Sequence, residues 1–234
     1  METGAPGMGV DADLGGGGAS LADLAVVAEE AGARIAPLPL VDHQVTARLL
    51  ASVGGCDDDI LSGAAIAGLA VRPVEDGTAR TVPTGAVTGR LVALDGDRLI
   101  AVDGPPGDPL ANHGCLPLAH REVSEATVLA TGPEAIAAYD RALDEWRTLT
   151  ASTLVGITRT ALDLGVAYVK EREQFGRPVG SFQAVQHLLA DLPGLLDGAR
   201  LLTAKAAWAG DRASAGASGV LAVAAHAGAA FGAL

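Results

Sequence analysis

The chain has 234 residues, 49% of them hydrophobic, and a formal net charge of −12. That length suits one large domain or two small ones with a sizeable core. The acidic balance argues against nucleic acid or an anionic membrane surface as the main partner, while a local arginine cluster could still hold an anionic cofactor.

Much of the apolar content is alanine and only 3% is aromatic, which favours close-packed helices over a sandwich of strands. Residues 1–18 are glycine-rich and read as loop. Ser20-Leu21-Ala22-Asp23 has the shape of a capping box, and Leu21, Leu24, Val27 and Ala28 follow at helical spacing. Gly32 and Pro37 bracket the exit of that helix. Asp42 is expected to cap a second helix running through Leu50 and stopped by Gly54-Gly55. Asp57-Asp58-Asp59 lacks a calcium-loop pattern and reads as a solvated turn.

The helical period fades from Ile66 to about Val128. Residues 85–94 and 97–103 are β-prone, with Asp95-Gly96 as a hairpin signal between them, and Pro105, Pro106 and Pro109 break the pattern beyond. From Pro133 a helical pattern runs to about Glu173, as one very long helix or two in line, and Gly176 and Pro178 end it. Ser181 opens another helix through Val185, Leu188 and Leu192 to Trp208, with Pro193-Gly194 kinking or interrupting it. Residues 213–234 read as a last helix. The fold class is therefore mainly α with a small β-rich middle segment. The expected domains are a partial N-terminal helical domain (1–65), a small β-rich domain (66–132) and a C-terminal helical bundle (133–234).

Cys56 and Cys115 share no metal-like spacing and read as idle thiols of a reducing compartment. His43, His113, His120, His187 and His226 form neither a triad nor a metal set. The N-terminus lacks the basic and apolar regions of a signal peptide, and residues 219–234 are too short to span a bilayer comfortably. A cytoplasmic protein without membrane insertion is expected.

The turn Arg172-Glu173-Gln174-Phe175-Gly176-Arg177-Pro178, followed by Phe182-Gln183-Ala184-Val185-Gln186-His187-Leu188-Leu189-Ala190-Asp191, closely resembles the signature of the acyl-CoA dehydrogenase family. Residues 15–40 are similar to the end of that family's N-terminal helical domain, and residues 156–191 to the core of its antiparallel C-terminal bundle. The resemblance implies FAD gripped across a subunit interface, with Arg172 on the pyrophosphate, Phe175 near the adenosine, and Phe182 and Gln183 completing the contact. The chemistry fits, because a guanidinium fork matches phosphate oxygens and the free N–H groups of the Ser181 helix suit an anion. The blander alternative is that Arg172 and Glu171 form surface ion pairs and Phe175 plugs a turn.

The family removes the α-proton of an acyl-CoA thioester with a glutamate, passes hydride to flavin, and hands electrons to an electron-transfer flavoprotein. Some members carry that glutamate just before an arginine corresponding to Arg147, and here Trp146 stands at that place. Glu145 is rotated by roughly 100° along a helix and reads as a solvated or paired carboxylate. Thr81, Thr84 and Thr88 cannot be matched to the family's flavin and thioester motifs. The first N-terminal helices and the C-terminal glycine-rich flavin loop have no counterpart, since Phe231-Gly232-Ala233-Leu234 stops short of the loop.

No catalytic residue and no metal ligand can be named. The expected role is a subunit of a homo- or hetero-oligomer with another family member, acting on an acyl-CoA and completing a partner's FAD site. The alternatives are a non-catalytic scaffold that binds no flavin, and a fragment whose flanking sequence restores the missing parts. The acyl group is not legible.

Overall fold

The structure is a computed structural model and describes residues 4–213. The helix expected over residues 213–234 therefore lies outside the described residues, apart from its first position. The chain forms two compact units, one of residues 4–20 and 38–146, the other of residues 21–37 and 147–213.

The first unit opens with a glycine-rich segment containing a 3-10 turn at Ala12–Leu14. Helix α2 (Leu40–Ser52) and the short helix α3 (Asp58–Ser62) follow the excursion through helix α1 (Leu21–Ala33), which belongs to the second unit. Pro39, not Asp42, stands at the N-cap position of α2, so Asp42 falls inside the first turn. The acidic run is exposed, as expected, but it opens a helix rather than a turn: Asp57 caps α3 by accepting from the Ile60 N–H at 3.0 Å, and it also pairs with Arg90. Those two contacts, the Ile60 N–H first, hold its carboxyl below the usual range.

Strands β1 (Ala67–Leu69), β3 (Arg90–Asp95), β4 (Arg98–Asp103) and β6 (Thr127–Thr131) form one sheet in that order, with β1 parallel to β3 and the other pairs antiparallel. Strands β2 (Thr78–Val82) and β5 (Ala119–Glu122) form a second, antiparallel pair. Leu91, Ala93, Ile100 and Val102 point to one face and pack with Ala70, Ala79 and Val82. Val92, Leu94, Leu99 and Ala101 fill the other face, so both sides are buried and the strands read as unbroken apolar runs. The hairpin turns at Gly96-Asp97, one residue beyond the expected place, because Asp95 still pairs with Arg98 and Gly96 takes φ +62°.

The strand expected from residue 85 begins only at Arg90. Residues 84–88 turn instead, with the Val87 and Thr88 amides both donating to the Thr84 carbonyl. The buried Arg121 guanidinium fixes this turn by donating to the Thr88 carbonyl at 2.6 Å. His43, also buried, joins three elements of the unit. Its Nδ1 accepts from the Ala67 N–H, which leaves Nε2–H to donate to the Ile60 carbonyl, so the ring is neutral and burial pushes its pKa down.

Helix α4 runs unbroken over Gly132–Glu171, one helix and not two in line. Its first half belongs to the first unit, where Tyr139 donates to the Ala70 carbonyl at 2.7 Å. Its second half packs in the second unit with α1 and helix α5 (Gln183–Ala213). Pro193 lies inside α5 without ending it. The contacts of α1 are close because they are made at glycine. A Cβ on Gly32 would sit 2.1 Å from the Thr153 carbonyl oxygen, and one on Gly156 would sit 1.9 Å from that of Glu29. Arg159 binds Glu29 and Glu30 across the same contact, and Arg200 of α5 reaches the other oxygen of Glu29. Asp211 of α5 accepts from the Leu21 and Ala22 amides at 2.6 and 3.2 Å, capping α1 from another helix.

Gly156→Ala is expected to cost about 3 kcal/mol or more, because the obstructing atom is backbone and cannot turn aside. Asp211→Ala is expected to cost about 1 kcal/mol through the lost cap. Chemical denaturation of the two variants beside the parent chain checks both magnitudes and their order.

Candidate functional site

The turn between α4 and α5 is a miniature β-hairpin. Strands β7 (Glu173–Gln174) and β8 (Arg177–Pro178) pair with Gln174 opposite Arg177, so Phe175 and Gly176 form a two-residue loop. Both loop residues have positive φ, +52° for Phe175 and +77° for Gly176. Gly176 adopts this freely, whereas a bulky aromatic residue at the first position is an outlier where Asn, Asp or Gly is the rule. Phe175 is moreover 93% exposed. Water contact for a whole phenyl ring on a strained backbone is costly twice, which makes Phe175 a candidate contact residue.

The loop is held firmly. The Arg172 carbonyl accepts from the Val179 amide at 2.7 Å, closing the hairpin base. A 3-10 turn at Val179–Ser181 then leads into α5, which begins at Gln183 and not at Ser181. The Ser181 hydroxyl donates back to the Pro178 carbonyl and caps nothing. A Cβ on Gly180 would come within 2.9 Å of the Val169 carbonyl oxygen, so the turn lies close against the end of α4.

Phe182 is half-buried and stands edge-to-face with Phe175, ring centroids 6.1 Å apart at 89°. The Arg177 guanidinium carbon lies 4.1 Å from the Phe182 ring centroid. Arg172 is exposed and forms no ion pair among the described residues, so the surface pairing with Glu171 does not occur. The Gln183 side chain is exposed as well. The four expected site residues thus belong to one short segment. Phe175 and Phe182 touch, and Arg172 and Gln183 flank them along the chain. These donors fit the diphosphate and ring system of a dinucleotide, having a guanidinium not committed to a carboxylate and an uncovered aromatic surface.

The same unit exposes a run of large apolar side chains beside the turn. Leu164 and Tyr168 on α4, and Leu188, Leu192 and Leu195 on α5, recur at helical spacing and are all exposed.

The first unit holds the other position singled out by sequence. Trp146 donates its indole N–H to Asp42 Oδ1 at 2.9 Å. Glu145 is paired, as one of the two expected readings has it, in a two-pronged bond with Arg48 at 2.8 and 3.0 Å. Asp42, missed as a partner, is pushed up to about 6 by burial, against the opposing effect of the indole hydrogen bond. Thr84 and Thr88 are buried and bonded to each other at 3.0 Å. His187 is exposed on α5. Among the described residues no three or more His, Cys, Asp or Glu side chains gather to hold a metal, and no helix is long and apolar enough to cross a membrane.

Residues 136–228 match the family described as acyl-CoA dehydrogenase, C-terminal domain. Acyl-CoA dehydrogenase IpdE2 of Mycolicibacterium smegmatis is 32% identical over 193 residues, which cover 82% of this chain and 58% of that protein. The chain thus spans less than two thirds of that relative's length. Among solved structures, the Tcur3481–Tcur3483 steroid ACAD superposes with a TM-score of 0.77 at 27% identity, covering 97% of this chain and 72% of that one. The ChsE4–ChsE5 complex of Mycobacterium tuberculosis gives 0.78 at 25% identity, with the same two coverages.

The raised pKa of Asp42 makes a signed prediction. Its folded value lies above the unfolded one of about 3.9, so its contribution to stability is full below pH 4 and is lost as pH rises through 6. Asp42→Asn keeps an acceptor for Trp146 and removes the titration. It is expected to raise stability at pH 7.5 by about 2 kcal/mol, less than the full shift implies because Asp42 retains some solvent contact, and to change little at pH 3.5. Urea unfolding at the two pH values reads the difference.

Proposed function

Because the chain belongs to the acyl-CoA dehydrogenase family, we propose that it serves as a subunit of an FAD-dependent acyl-CoA dehydrogenase and completes an FAD site seated mainly on a partner subunit. The observation that carries this reading is Phe175, strained at positive φ and almost wholly exposed. An aromatic ring held this way gains most when another molecule covers it. Arg172 would neutralise the pyrophosphate through its guanidinium fork, Phe175 and Phe182 would pack on the adenosine end, and Gln183 would add a polar contact.

When bound, FAD supplies the hydride acceptor for α,β-dehydrogenation of an acyl-CoA thioester. This chain's part is to bind and orient. A base must reach the substrate proton within hydrogen-bond distance. In the proposed assembly that base comes from the partner, because Glu145 is committed to Arg48 and Trp146 occupies the place where one group of the family carries a glutamate. The exposed leucines of α4 and α5 support packing against another subunit's helices. The names of the two solved relatives, each joining two components, favour a second family member over a copy of the same chain. Electrons would then pass to an electron-transfer flavoprotein.

Arg172→Ala in the co-expressed assembly is expected to raise the FAD dissociation constant roughly ten- to a hundred-fold, the worth of a charge-assisted pair. Flavin absorbance retained through gel filtration measures it. Unchanged flavin content would overturn the reading and favour a scaffold that binds none.

A further inference from the structure

We infer that Arg177 is a positioning residue: by stacking on Phe182 it ties the β7–β8 hairpin to the start of α5 and so presents Phe175 in a fixed orientation to a planar heteroaromatic ring. This deepens the flavin-completing reading and rests on it.

Three observations on the turn carry the inference. Arg177 is an exposed cation with no ion pair among the described residues, yet its guanidinium carbon is 4.1 Å from the Phe182 centroid. At that distance the ring's negative face attracts the cation. Next, Arg177 sits opposite Gln174 in the hairpin, immediately after the Phe175-Gly176 loop, whereas Phe182 immediately precedes α5. The stack therefore joins two segments that the backbone links only through the 3-10 turn. Finally, Phe182 meets Phe175 edge-to-face at 6.1 Å, so whatever fixes Phe182 also restricts the ring of Phe175. A two-residue loop with an aromatic residue at positive φ is disfavoured on its own. The backbone bond at the hairpin base holds the loop but not its ring; Arg177 adds a side-chain anchor through Phe182, and a preordered ring loses less freedom when a ligand covers it.

This role differs from that of a phosphate ligand. A phosphate-bound guanidinium acts through net charge, and its contribution falls with salt. A guanidinium committed to a ring acts through orientation. Arg177→Lys retains a cation and Arg177→Gln does not.

Two measurements test the inference. In the isolated chain, selective isotope labelling of arginine reads the Cδ protons of Arg177 by NMR. An upfield ring-current shift, abolished by Phe182→Leu, is expected, and random-coil positions would overturn the stack. In the co-expressed assembly, Arg177→Gln is expected to weaken FAD binding about two- to five-fold, with Arg177→Lys recovering most of the loss. The slope of affinity against ionic strength should match the parent for Arg177→Gln and fall for Arg172→Ala. A slope that falls equally in both variants would make Arg177 a phosphate ligand and overturn the positioning role. Unchanged affinity in Arg177→Gln, with Arg172→Ala weakened, would remove Arg177 alone. Unchanged affinity in both Arg172→Ala and Phe175→Ala would remove the flavin reading and this inference with it.

Discussion

Two helical backbones can touch only where no Cβ stands between them, and the second unit depends on that condition at Gly32 and Gly156. The contact brings α1 so close to α4 that Arg159 can span both Glu29 and Glu30, and it leaves α5 to close the group from another side through Arg200 and Asp211. An alanine-rich composition follows from the same condition. Ala25 and Ala28 of α1, with Ala199, Ala206 and Ala207 of α5, are buried where larger residues would force the helices apart. This packing holds the parts of α4 and α5 that support the hairpin between them.

The hairpin inverts the usual economy of a surface turn. A polar pair such as Asn-Gly would satisfy the backbone at little cost. Phe175-Gly176 satisfies it with a phenyl ring in water and a residue in the left-handed region. Local preference has yielded here, and the proposed contact with FAD gives that strain a purpose. The first unit shows the contrary case. Glu145 and Trp146, near the position where the family resemblance would put a base, are absorbed into bonds with Arg48 and Asp42 and so support the unit itself.

Much of the fold was legible because its signals are periodic. The apolar runs 91–94 and 99–102 announce strands buried on both faces, and the spacing of Leu21, Leu24 and Ala28 announces α1. Two of the failures share a cause, namely side chains that bind at a distance along the chain. Asp42 looked like a cap because an acidic residue precedes an apolar run, but its partner is Trp146, far along the sequence. Residues 85–89 have the composition of a strand, but Arg121, 33 residues beyond Thr88, binds its carbonyl and holds the segment as a turn. Asp57 had the sequence of a cap and was passed over as part of an acidic run. At the candidate site, the motif located Arg172, Phe175, Phe182 and Gln183, but not the stacking of Arg177, since cation–π pairing leaves no mark in spacing. A Phe-Gly pair flanked by residues able to pair across a two-residue loop was the available clue to the hairpin.

The exposed leucines carry a consequence for the chain in solution. Leu164, Leu188, Leu195 and Leu201 are each more than three-fifths exposed, on a chain of net charge −12. Apolar attraction acts at contact, while charge repulsion acts over the Debye length of about 10 Å at 0.1 M salt. Separated copies are therefore kept apart by a long-range barrier that guards a short-range adhesive surface. Raising the ionic strength lowers the barrier without weakening the adhesion, so the lone chain is colloidally steadier in dilute buffer than at physiological salt.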